Sequence, residues 1–140
     1  MSGKRIIDGL NEALAHASSP VADVFARVQR VAAPDPELDQ AIFAAVYGWS
    51  FPLHGAAVSD YISRGRPAYT ATLDAARTLI PPEHSFALFD HDAKLGGSAG
   101  AKVGHRTARA EDVPWVYHPD PVLALCAAAL MARMAMECGR

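Results

Sequence analysis

The chain has 140 residues, 51% apolar and 20% charged, with 13 basic against 15 acidic side chains and a formal charge of −2. A chain of this length is one domain in size and buries roughly two thirds of its unfolded surface, so its composition excludes disorder throughout. The near-neutral balance weighs against a dominant electrostatic grip on nucleic acid as the main partner.

Residues 4–17, "KRIIDGLNEALAHA", repeat apolar side chains at three- and four-residue steps and predict an amphipathic helix. Ser19 and Pro20 then start a second helix, in which Val21, Val24, Phe25, Val28 and Val31 keep the spacing to about Ala33. Together, residues 1–33 read as an N-terminal helical arm, and residues 34–140 as the main domain. Residues 4–31 are also where homo-oligomers would pack.

In "PDPELDQAIFAAVYGW", Asp35 caps a third helix, Pro36 presets its first turn and Gly48 stops it. Leu38, Ile42, Ala45 and Val46 are its expected inward stripe. About twenty residues of weak periodicity follow, read as a long loop of the kind that is usually functional. Tyr69 or Thr70 opens a fourth helix, which Pro81-Pro82 ends.

The period then changes from helical to alternating. "HSFALFDH" reads as one strand and "KVGHRTARA" as its antiparallel partner, with "DAKLGGSAGA" as a flexible connector between them. The second strand has few large apolar residues, which suggests an edge position. "PWVYH" is a short third strand or a Trp115 cover over the sheet. Asp120 and Pro121 begin the last helix, which is apolar nearly all round and so predicted to be the buried centre of the core. Leu123 and Leu130 would each contribute about 1.5–3 kcal/mol by burial. Arg133 interrupts this segment, which is also too short to span a bilayer.

Several segments resemble a known family. "LDQAIFAAVYGW", "RPAYTATLDAARTLIP", "FALFD" and "HPDPVLALCAAAL" are similar to small bacteriophage and prophage proteins of the phage ABA-sandwich type. The likeness covers residues 37–132 and is carried by Gly48, Trp49, Pro67, Tyr69, Thr70 and the final helix. It implies an α/β sandwich: a small antiparallel sheet of two or three strands between helices. It transfers no catalytic residues. What it suggests is a non-enzymatic accessory protein that binds a host protein or complex in the bacterial cytoplasm, in counter-defence for example.

The candidate chemistry is sparse. Asp90, His91 and Asp92 lie near His84 and His105, but alternation splits the triplet between two faces, so no metal is expected. Cys126 reads as a buried structural thiol. About 18 Å of helix separates it from Cys138, too far for a disulfide. Cysteine use and the absence of a signal-length apolar run at the N-terminus fit a reducing cytoplasm. "GGSAG" lacks a phosphate-loop pattern, and no cofactor is indicated. The most promising cluster is Trp49, His54, Tyr61, Arg64, Arg66 and Tyr69, since guanidiniums beside aromatic rings hold phosphates or anchor protein interfaces. A small nucleotide-binding protein or enzyme using this loop, or an oligomeric phage component, are the alternatives.

Overall fold

The computed structural model describes residues 19–92 and 98–138. The helix expected at residues 4–17 lies outside them, as do the side chains of Asp90, His91, Asp92 and Cys138. Three helix starts follow the expected capping chemistry. In α1 (Pro20–Arg30), the Ser19 hydroxyl accepts from Ala22 N–H and donates to Glu137 Oε2 at 2.7 Å. In α2 (Pro36–Tyr47), Asp35 Oδ1 accepts from Glu37 and Leu38 N–H, and Gly48 leaves the helix at φ +77°. In α5 (Pro121–Cys138), Asp120 Oδ1 accepts from Val122 and Leu123 N–H.

Other boundaries differ from expectation. α1 ends at Arg30 rather than Ala33, because Val31 turns to extended backbone. Its carbonyl accepts from His118 Nε2 at 2.8 Å, while His118 Nδ1 accepts from Asp120 N–H, so both ring nitrogens are used in tying α1 to the start of α5. The buried stripe of α2 includes Asp39, Ala41, Phe43 and Ala44 beside Leu38 and Ile42, with Ala45 and Val46 only partly covered. The expected long loop contains a helix, α3 (Ala56–Ser63). The expected helix at Tyr69 or Thr70 begins later, as α4 (Leu73–Arg77) with Thr72 as its cap. Thr70 does not cap it: its hydroxyl oxygen accepts from Asp35 N–H at 2.8 Å, while its N–H and hydroxyl donate to buried Asp39 Oδ1, at 2.8 and 2.7 Å.

The strands β1 (His84–Asp92), β2 (Ser98–His105) and β3 (Val116–His118) form an antiparallel sheet in the order β1-β2-β3. The α/β class and the three-stranded sheet are as expected. β2 is nevertheless the centre and not the edge, and it starts within the segment expected as connector. Its small residues are what a central position demands here. Ala99, Ala101 and Val103 lie buried beneath α5, and on the opposite face the Phe89 ring occupies the space above Gly100, where a Cβ would come within 2.4 Å of Cζ. Beyond His105 the chain turns, so the alternation expected through Thr107 and Arg109 is not strand.

Residues 123–130 of α5 are all fully buried, as the apolar tail predicts. Their alanines permit close approach of α1 and α4 on one side and of all three strands on the other. The layer order among the described residues is therefore sheet, α5, then α1, α2 and α4, with α5 the helix that packs broadly on the sheet. Val21, Val24 and Val28 of α1 belong to this same core. Arg133 reaches the core margin, where its Nε donates to the Leu79 carbonyl at 2.7 Å and burial depresses the pKa of its guanidinium. The face of the sheet away from α5 carries Phe89 against Trp115 and Tyr117, with Lys102 Nζ 4.8 Å above the Trp115 ring. No described helix is long and apolar enough to cross a membrane.

Candidate functional site

The segment from Tyr47 to Tyr69 is organised by Asp60, which sits on α3 between two of the residues singled out from sequence. Trp49 Nε1 donates to Asp60 Oδ2 at 3.1 Å and Arg64 Nε donates to Oδ1 at 2.9 Å. The Trp49 bond is the main reason the Asp60 carboxyl is held below its usual range, with Arg64 adding to it; Arg64 is in turn raised by Asp60. The Arg64 guanidinium lies over the Tyr47 ring, 4.1 Å from its centre. An arginine-aromatic stack of this kind is held by both the ring quadrupole and the carboxylate.

Below this cluster, Phe43 packs 4.7 Å from Tyr47 and 5.0 Å, edge to face, from Tyr61. Burial raises the Tyr61 phenol, with the nearby Asp39 charge adding to the effect. α3 leaves through Gly65 at φ +85° and Arg66 at φ +49°, and Arg66 N–H closes the turn onto the Tyr61 carbonyl. A left-handed non-glycine residue costs about 1–2 kcal/mol, so the turn is held against its own preference by that closure.

The six residues expected to act together are thus only partly assembled. Trp49 and Arg64 share Asp60, and Tyr61 supports them from beneath. His54 turns away, its Nδ1 donating to the Pro52 carbonyl at 3.1 Å. Arg66 is exposed at the end of the turn. Tyr69 is 1% exposed, and burial pushes its phenol well above the ordinary range. Its place is in the core, where its carbonyl accepts the Cys126 thiol at 2.8 Å. Cys126 is likewise raised by burial, and Asp39 and Asp120 add to the shift, the opposite of what a nucleophile needs.

Sequence reasoning missed Tyr47 and Asp60. The Asp60–Arg64 spacing of four residues signals an ion pair on a helix, but only once α3 is recognised as a helix. The surface around them also exposes Phe51, Val58 and Ile62, the last two one helical turn apart. Beside Trp49 and Phe51 lies an open groove of about 450 Å³ between α1 and α2, lined also by Val24, Arg27, Ala41 and Ala45. Among the described residues no group of three or more His, Cys, Asp or Glu side chains is placed to hold a metal ion. Comparison with protein-family models, with curated proteins and with solved structures returns no match.

Proposed function

We propose that this chain acts by binding a protein partner through the Tyr47–Arg66 face. The observation that carries the reading is the concentration of Tyr47, Trp49, Phe51, Val58 and Ile62 as exposed large apolar residues within sixteen positions, around an arginine already fixed by Asp60 and Tyr47. Tyrosine, tryptophan and arginine dominate the energetic centres of protein interfaces, and a preordered arginine loses less freedom on docking. The likeness to small phage and prophage proteins makes a host protein or complex the proposed partner, and counter-defence the proposed role. The nucleotide-binding alternative draws less support, since His54, Arg66 and Tyr69 do not converge with Arg64.

The test is capture from a bacterial lysate with three forms of the full chain. The wild type and a Tyr117→Ser variant, altered on the far face of the sheet, should retain the same partner. Ile62→Asp should lose it while keeping its circular dichroism spectrum. Equal retention by all three forms refutes the assignment of the face.

A further inference from the structure

One side-chain pair outside that face has a geometry of its own. His84 and His105 are register partners on β1 and β2, at the end of the hairpin away from its connecting loop. Their ring centres are 5.3 Å apart and the rings are nearly perpendicular, at 84°. His84 is half-buried and His105 exposed, so water has access to both.

The hydrogen bonds at the inner nitrogens determine what the outer ones can do. His84 Nδ1 lies 2.8 Å from the Pro82 carbonyl, which can only accept, so Nδ1 carries a proton and it is Nε2 that has the lone pair in the neutral ring. This is the arrangement by which a metal-ligating histidine is oriented: the second ring nitrogen donates to a backbone carbonyl. His105 Nδ1 lies 2.7 Å from Thr107 Oγ1 and accepts from Thr107 N–H at 3.2 Å. A hydroxyl can accept as well as donate, so moving the His105 proton to Nδ1 gives up only the longer amide contact. Neither Nε2 has a hydrogen-bond partner among the described residues. The adjacent cation, Arg106, is neutralised by Glu83 at 2.8 Å, which lowers the repulsion a metal ion would meet.

We infer that His84 and His105 form a two-histidine site for a tetrahedral divalent transition ion, Zn²⁺ foremost, with water completing its coordination. The spacing supports this choice. With a Zn–N bond near 2.0–2.1 Å, each ring centre stands about 3.2 Å from the ion, which puts two centres about 5.2 Å apart at the tetrahedral angle and about 4.5 Å apart at a right angle. The observed separation of 5.3 Å is close to the first value. Both ligands stand on paired strands, which hold their positions better than loops do. An ion here would clasp the open end of the hairpin.

The test is a Zn²⁺ titration of the full chain, followed by calorimetry and by nitrogen-proton correlation of the histidine rings. One ion per chain is expected, with the His84 and His105 ring signals shifting together. His84→Ala and His105→Ala should each weaken binding at least about tenfold, the lower end of what even outer-shell partners contribute to metal affinity. Rings that stay unmoved at saturating Zn²⁺, or unchanged affinity in the double variant, overturn the site. If a variant fails to fold, the ring signals of the wild-type chain still decide.

Discussion

Thr70 joins α2 to the segment before α4, and replacing it with valine measures what that junction is worth. The side chain is fully buried, donates to Asp39 Oδ1 at 2.7 Å and accepts from Asp35 N–H at 2.8 Å. Valine keeps the shape and the Thr70 N–H bond to Asp39, so no cavity opens and only the hydroxyl contacts are lost, these two and a longer one of 3.4 Å to the Asp35 carbonyl. A bond to a charged group contributes about 1.5–3 kcal/mol and a neutral one about 1, which places the loss at about 2.5–4 kcal/mol. At roughly 3–5 °C per kcal/mol for a chain of this size, Tm should fall by about 8–20 °C. Thr70→Ser is the control, because it keeps the hydroxyl and loses one methyl, worth about 1 kcal/mol. Urea melts followed by far-UV circular dichroism give both values at a common m. If Thr70→Val costs no more than Thr70→Ser, the hydroxyl is not supporting the junction and the reasoning fails.

Asp39 supplies a prediction about pH. Burial raises its carboxyl more than the Thr70 bonds lower it, so the folded chain keeps this proton to higher pH than the unfolded chain does. Its contribution to stability is therefore complete below the ordinary carboxylate range and is lost as pH rises through the raised value. Asp39→Asn keeps the Oδ1 acceptor and should flatten that decline in melts taken from about pH 4 to pH 7; an unchanged slope contradicts the assignment. Leu130→Ala, at a fully buried position, should cost about 3–5 kcal/mol in the same urea assay. Gly100→Ala forces the Phe89 ring aside and should cost about 1–3 kcal/mol. That cost should largely vanish in a Phe89→Ala background, as a double-mutant cycle would read directly.

Local chemistry was legible wherever a residue acts on its own neighbours. Ser19-Pro20, Asp35-Pro36 and Asp120-Pro121 start helices as their capping and proline geometry requires, and Gly48 ends one through positive φ. The alternation from His84 and the all-round apolar character of α5 likewise survive into the fold. Long-range pairing was not legible. Thr70 looks like a helix start until Asp35 and Asp39, more than thirty positions earlier, take its hydroxyl as acceptor and donor. β2 looks like an edge because the stretch read as strand, from Lys102 onward, has few large apolar residues; it is central because it begins earlier, at Ser98, and its Ala99, Gly100 and Ala101 lie where α5 and Phe89 come close. In the candidate site, the aromatic and arginine residues were visible as types. Asp60, which sorts them into a fixed cluster, depended on an eight-residue helix too weakly periodic to stand out.

The methyl-walled axis of α5 has a consequence for how the molecule tolerates change. Ala124, Ala127, Ala128 and Ala129 have no rotatable side chain through which a neighbour's extra bulk could be absorbed. An added methylene there must displace a whole strand or helix, whereas the folding cost of exchanging an exposed side chain such as Arg66 is small. Deep mutational scanning should thus trace a narrow intolerant spine through the last twenty residues, flanked on both sides by positions free to diversify.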